Sequence, residues 1–509
     1  MAAQLDVLAW VCFCGPGLFN ALTSFASGLD DARLAFAGNA LIYACFAACS
    51  ALAAALVPAM GVRAALVVGA SGYFVYAAAL FNVQVNGFAP LVAFMAACVA
   101  VGVSAGFLWT AQGLMIMSYP NVETRGQSVS RFWVIFNLGA AAGGVIGFVL
   151  NFPQDPDSTA AKVTRASTGM FVVFLVLMGV GVALAVCFIE DAGNVIHDSG
   201  GDDKAQPSSR GASAVAASWM QWRARLHTAW SVVVCDQSHR NVLLCLLPLF
   251  VYSNWFYTYH AFFNVTVFNA RTSGLASASY WLAQMGGAYV SGRVLDHQIQ
   301  KQQSQPECVN SENQNEAQCR TYGTVARVSK QFLLVFCVLA NVMWGIGWLV
   351  QDSWLHLSYE TSLNVDFWSQ DTTESLFVLL LTLYVVYGFH DALCQVWIYW
   401  FMSMHTANDA IACSCYAGMY KCVQAASAAV AWYLGAVQVS PLTQLQVNVV
   451  LCNVGILCAW IASCKTSSPA NRSGSAEPEE PDERNPLLPA INADRPPQVA
   501  VPARVYSSL

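Results

Sequence analysis

The chain has 509 residues, of which 57% are hydrophobic and 10% charged, with a formal net charge of -6. Soluble domains carry about a quarter charged residues, so this composition excludes an ordinary water-soluble globule and points to a protein of the lipid bilayer. No zinc-ligand spacing, glycine-rich phosphate loop or nucleophile motif occurs, so an enzyme, a bound cofactor and a nucleic-acid partner are not expected.

A helix needs about 20 apolar residues to cross a bilayer. Runs of that length recur at 5–25, 36–58, 62–82, 88–117, 129–150, 168–189, 240–262, 275–295, 331–350, 374–401, 411–434 and 440–463. They predict twelve transmembrane helices. The first has no basic leader and is followed closely by a second span, so it reads as a retained helix rather than a cleaved signal peptide. Lys and Arg concentrate in one set of loops (Arg63, Arg125, Arg131, Arg293, Lys301, Arg327, Lys330, Lys465), while the opposite set holds only Arg33, Lys162, Arg165 and Arg271. That asymmetry puts both termini in the cytosol.

Residues 1–189 form a first group of six spans, and 240–464 a second. Between them, 190–239 reads as a cytosolic linker. A Gln- and Asn-rich insertion at 297–329 is expected to be unstructured, and so is the Pro-, Ser- and acid-rich tail at 465–509. The 18 cysteines avoid the predicted exoplasmic loops. Most fall in apolar spans, where a thiol packs as a small hydrophobe. Cys413, Cys415 and Cys464 border the cytosolic face, where palmitoylation competes with plain packing.

The sequence Gly292-Arg-Val-Leu-Asp296 follows the eighth span, where the major facilitator superfamily carries a Gly…Asp loop motif. Its counterpart in the first half keeps Gly61 and Arg63 but lacks the acid. Longer stretches are more specific. They are GPGLFNAL near residue 15, WTAQGLMIMSYP (109–120), Arg125-Gly126, FWVIFNLGA (132–140), SNWFYTYH (253–260), FNARTSGL (268–275), YWLAQMGGA (280–288), YGFHDALCQVWIYWFM (387–402) and YAGMYKCVQAASAAVAW (416–432). Together they resemble the Unc-93-like family, a branch of that superfamily. The resemblance implies an all-α integral membrane fold, with twelve transmembrane helices in two six-helix pseudo-symmetric halves around a midplane site. It also implies either transport or a regulatory role, because members have been linked to potassium channels, to potassium homeostasis and to escorting receptors.

Lys421 stands in a long run with no other formal charge. A lysine at mid-bilayer costs about 2.5–3.5 kcal/mol on insertion scales, so it needs a partner. Asp391 lies at the same calculated depth on the antiparallel tenth span. It belongs to a stripe of Tyr387, Asp391, Gln395 and Tyr399 at four-residue spacing, while Lys421, Gln424 and Ser427 stand three apart on the eleventh span. The expectation is an Asp391–Lys421 ion pair bordering a central cavity. His390 beside it is either a proton acceptor or an interhelical hydrogen-bonding group. Such a pair either couples transport or locks two helices together. Asn254, Tyr257, His260 and Asn264 on the seventh span, Trp109 and Gln112 on the fourth, Asn20 on the first and Asn137 on the fifth would add polar walls. Gly139, Gly143 and Gly147 read as a close-packing face. Asn264-Val-Thr266 is a glycosylation sequon set too near the membrane to be used.

In the tail, Glu483-Arg-Asn-Pro-Leu487-Leu488 resembles an acidic dileucine signal and Tyr506-Ser-Ser-Leu509 a tyrosine-based one. Both imply clathrin adaptors as partners and an endosomal or lysosomal membrane as residence. The overall expectation is a membrane transporter of an ion or small solute, linked to potassium or protons. The alternative is a non-transporting regulator or escort of a channel or receptor.

Overall fold

A computed structural model describes residues 2–20, 32–86, 90–151, 168–191, 231, 236–303, 314–367 and 374–465. The helices are α1 (Ala2–Asn20), α2 (Ala32–Met60), α3 (Val62–Asn86), α4 (Pro90–Ser118), α5 (Arg125–Asn151) and α6 (Thr168–Phe188). They continue with α7 (Gln237–Val267), α8 (Ala270–Gln303), α9 (Gln314–Trp348), α10 (Glu374–Thr406), α11 (Ala410–Ala436) and α12 (Pro441–Lys465). Among the described residues, ten helices are long and apolar enough to cross a membrane. The remaining two, α8 and α11, match them in length but have polar residues spread so that no equally apolar stretch is left. The protein is an all-α multi-pass membrane protein.

Every predicted span coincides with a helix. The linker at 190–239 and the tail at 465–509 lie almost wholly outside the described residues, and so do both sorting signals, with Glu483, Leu487, Leu488, Tyr506 and Leu509. The insertion needs correcting. Residues 297–303 continue α8 and 314–329 begin α9, leaving only 304–313 outside. Glutamine, lysine and arginine are good helix formers, so a polar sequence here prolongs helices rather than ending them.

Two helices are interrupted where the sequence dictates. In α1 a π-helical turn, Phe13–Gly17, contains Pro16, whose ring cannot supply a backbone N–H. Gly17 there lies against Gly139 of α5 so closely that a side chain on either would meet the other helix's backbone. α7 breaks at Phe256, between Gln237–Trp255 and Tyr257–Val267.

The first six helices meet the last six most extensively through α5 on α8 and α2 on α11. Both contacts use small residues. Gly126 and Gly292 abut, Gly144 sits on Ala278, and Gly418 lies on Ala54. Of the predicted glycine face on α5, Gly139 touches α1, and it is Gly144 that seats α8. Within each six the neighbours repeat: α2–α4 with α8–α10, α3–α6 with α9–α12, and α1–α5 with α7–α11.

At the end remote from the α10–α11 turn, the loop after α9 straps onto the α7–α8 turn. Phe268 and Val365 form a parallel β-bridge. Arg271 pairs with Asp366, whose carboxylate also accepts from the Thr272 hydroxyl at 3.0 Å. The sequon asparagine, Asn264, lies in this region within a helix and half-buried, with Thr266 buried.

Among the described residues every cysteine is free. Cys413 and Cys415 are buried in α11, which supports packing over lipidation there, while Cys464 is exposed at the end of α12.

Candidate functional site

α10 carries Tyr387, Asp391, Gln395 and Tyr399 along one face, and all four are buried. Helical geometry explains the stripe, since residues four apart stack on one side. Asp391 has no solvent exposure and Lys421 has 4%. The two do not form the expected ion pair. Each is held by neutral groups instead.

The Asp391 carboxylate accepts from four donors on three helices. Tyr257 of α7 and Gln284 of α8 make short bonds to Oδ2, to which the Tyr280 hydroxyl also donates at 3.3 Å. Gln395, one turn along α10, donates to Oδ1 at 3.3 Å. Lys421 Nζ donates to Gln424 Oε1 at 2.7 Å. Its ammonium lies over the Trp109 ring, 4.6 Å from the centroid, with Tyr420 at 4.8 Å and Tyr399 at 5.5 Å. An ammonium over aromatic faces is attracted by their negative quadrupoles.

The charges are joined indirectly. Gln424 Nε2 donates to Gln395 Oε1 at 3.4 Å, and Gln395 donates in turn to Asp391. The order is Lys421, Gln424, Gln395, Asp391, and every link points its donor toward the carboxylate. Bonds aligned in this way polarise one another. Tyr420 braces the middle by donating to Gln395 Oε1, and Gln424 Nε2 also reaches the Ser253 hydroxyl at 2.9 Å.

The network reaches across the molecule. Asn137 of α5 donates to Gln284 Oε1 at 2.8 Å, so an amide from the first six helices orders a ligand of Asp391. Tyr399 donates to Gln112 of α4 at 2.8 Å. A second branch passes through Tyr280, whose hydroxyl lies 3.2 Å from His260 Nδ1. With Tyr280 donating to Asp391, this contact is a hydrogen bond in the His260 tautomer that carries its proton on Nδ1.

Of the predicted site residues, Asp391, Gln395, Tyr257, Lys421, Gln424 and Gln112 are gathered here, with His260 one hydroxyl away. His390 faces elsewhere. Its Nε2 lies 3.1 Å from the Tyr252 hydroxyl and its ring stacks on Phe336, so it acts as the interhelical bond rather than as a base beside Asp391. Tyr387 stacks on the His260 ring at 4.5 Å. Asn254 is buried on α7 and Asn20 closes α1 half-buried. The polar stripes close on each other, so the walls predicted for a cavity are here in mutual contact. Sequence reasoning missed Tyr280, Gln284 and Tyr420. The first two are a polar pair four apart on α8, the same signal that singled out α10.

Charged contacts also clasp the α10–α11 end. Asp296 accepts from the backbone N–H groups of Gly126 and Gln127, both at 2.8 Å, and so caps the start of α5 from α8. An anion at a helix N-terminus satisfies donors that have no partner within the helix. Arg125, also buried, reaches the Ser403 carbonyl at the end of α10 and the Asn408 side chain in the following turn. Asp296 lies just beyond the apolar part of α8. Burial pushes its carboxyl up to about 6, outweighing the two accepted bonds that lower it. The folded protein therefore holds this proton more tightly than the unfolded chain. Its contribution to stability is full below the ordinary value of 3.8 and is lost as pH rises through 6. The thermal midpoint should accordingly rise from pH 7 to pH 5, and Asp296→Asn should flatten that slope. Parallel slopes in both proteins would assign the effect to other groups.

Comparison with known proteins places this geometry in a family. The profile described as "Ion channel regulatory protein UNC-93" matches residues 31–253. The UNC93-like protein C922.05c of Schizosaccharomyces pombe is 33% identical over 434 residues, covering 84% of this chain and 75% of that protein. UNC93-like protein 1 of Arabidopsis thaliana is 30% identical over 449 residues, covering 88% and 86%. An uncharacterized membrane protein of Schizosaccharomyces pombe, C6F6.04c, is 26% identical over 445 residues. With a described helix at every predicted span and identity extending over most of its length, the chain belongs to the UNC-93-like family of membrane proteins.

Proposed function

We propose that the protein moves a small solute or ion across its membrane, coupled to protons or potassium, by rocking two six-helix halves around the Asp391–Lys421 network. One observation carries the reading. A carboxylate and an ammonium are buried at mid-helix without direct contact, their hydrogen-bond partners on α7, α8, α10 and α11 and the Trp109 ring of α4 under the ammonium. A pair serving only as a lock gains most from direct contact. Charges held apart by rotatable amides can exchange those partners for a substrate, a proton or each other. Intramembrane ionisable residues most often mark such pathways.

The basic loops favour cytosolic termini. With the tail signals at Glu483–Leu488 and Tyr506–Leu509, they favour an endosomal or lysosomal membrane, reached through clathrin adaptors. A second reading, regulation or escort of a channel or receptor, draws on the family profile's description as an ion channel regulatory protein.

The test is potassium and proton flux into proteoliposomes containing purified protein. Wild type should carry a flux that Asp391→Asn and Lys421→Met, folded equally well, each reduce at least about tenfold, the scale of one lost charge-assisted hydrogen bond. Wild-type flux unchanged by both substitutions would remove the network from the mechanism. No flux of either ion, together with a stable integral-membrane partner on purification, would favour the regulatory reading.

A further inference from the structure

Where α9 begins and α12 ends, the two helices enclose an open groove of about 410 Å³ lined by Gly323, Arg327, Lys330, Gln331, Leu334 and Trp460. The groove is built from fixed parts. Ser329 and Ser463 share a buried hydrogen bond of 2.7 Å, and Asn341 and Asn453 bond reciprocally at 3.0 and 3.1 Å further along. These rivets hold α9 and α12 together along the groove and beyond it.

The lining changes character along its length. Arg327 and Lys330 stand one turn apart at the level of the Ser329–Ser463 bond, with no acid in the lining and, among the described residues, no ion pair or hydrogen bond of their own. Lys465 ends α12 at the same level. Toward the middle of the helices the wall becomes Leu334, 59% exposed, and Trp460, 36% exposed. Cations at the end, tryptophan at the boundary and an aliphatic wall beyond follow the polarity of one bilayer leaflet.

Gly323 adds an independent sign. It sits inside α9, where glycine weakens a helix. Among the described residues nothing lies within 4 Å of a Cβ placed there, so their packing does not require a glycine. Gly286 and Gly345 have the same open space but do not line the groove. An occupant from outside the chain accounts for the space that Gly323 leaves.

We propose that this groove binds the headgroup of an anionic phospholipid, its phosphate held by Arg327 and Lys330 and its acyl chains lying along Leu334 and Trp460. Basic recesses between helices at the cytoplasmic surface are suited to acidic headgroups, and two donors one turn apart can share one phosphate. The proposal is independent of whether the protein transports.

The experiment titrates purified full-length protein in detergent with phosphatidylinositol, and separately with phosphatidylcholine of the same acyl chains, following bound lipid by native mass spectrometry and the thermal midpoint. Phosphatidylinositol should bind and raise the midpoint, and phosphatidylcholine should not. Arg327→Gln with Lys330→Gln should weaken binding about tenfold or more, because each base near an anionic surface contributes appreciably. Gly323→Leu, whose Cβ would have nothing within 4 Å among the described residues, should occlude the groove and abolish binding while leaving the lipid-free midpoint at or above wild type. Equal binding of the two lipids, or wild-type affinity in either variant, would overturn the proposal. Soluble glycerophosphoinositol binding as tightly as the lipid would overturn the lipid as the occupant.

Discussion

Replacing Asp391 with leucine is expected to destabilise the purified protein more than replacing Lys421 with methionine. The asymmetry follows from how the two charges are held. Removing the carboxylate strands donors on Tyr257, Tyr280, Gln284 and Gln395, all within the core. A buried donor left without a partner costs about 1–3 kcal/mol, so the combined loss should reach about 4 kcal/mol or more. Methionine at 421 removes a buried charge, keeps much of the side-chain volume and leaves Asp391 with all four donors. It strands one buried acceptor, the Gln424 side-chain carbonyl, so the change should cost about 1–3 kcal/mol, less than the loss of the carboxylate. Thermal unfolding in detergent measures both. Equal and large losses would mean that the charges depend on each other directly.

The second large effect is expected at Arg125. Its guanidinium spans the Ser403 carbonyl and the Asn408 side chain, joining α5 to the end of α10 and the turn beyond. Arg125→Met should cost about 1.5–3 kcal/mol, the scale of hydrogen bonds made by a charged donor, most of it at the buried Ser403 carbonyl because Asn408 is exposed. Arg125→Lys should recover less than half, because a single ammonium lacks the planar fork that reaches two acceptors at once. Alongside the lower thermal midpoint, proteolysis at the turn around Asn408 should accelerate. A lysine variant as stable as wild type would show that charge alone suffices there.

Much of the helix plan was legible because crossing a bilayer imposes a length and an apolar composition that few other constraints imitate. The spans at 275–295 and 411–434 were legible despite Tyr280, Gln284, Lys421 and Gln424, because the flanking residues stay apolar. Depth counting singled out Asp391 and Lys421, which are joined through Gln395 and Gln424. It could not give the rotation of each helix about its axis, and that rotation decides contact. Lys421 therefore meets Gln424, three residues along its own helix, and the Tyr399 ring of α10, but not Asp391. The donors Tyr280 and Gln284 were hidden for a related reason. Nothing in the order of the spans says that the eighth crosses beside the tenth, as α8 does on α10. The role of Arg125 was hidden too, since a basic residue before a span reads as a topology marker and its burial depends on the close approach of Gly126 to Gly292.

The bridged arrangement of Asp391 and Lys421 also bears on membrane voltage. With the carboxylate ionised and the lysine protonated, the mid-helix network carries no net charge, and among the described residues the other buried charges lie elsewhere, Arg125 at the start of α5, Asp296 beyond the apolar part of α8 and Asp366 in the loop after α9. Moving that neutral network through the field involves little electrical work, so an unloaded protein would reorient at a rate nearly blind to potential. A monovalent cation bound there changes the sum to +1, and each elementary charge carried across the full field is worth about 2.3 kcal/mol per 100 mV. The loaded step alone would then be electrogenic, and current would report occupancy.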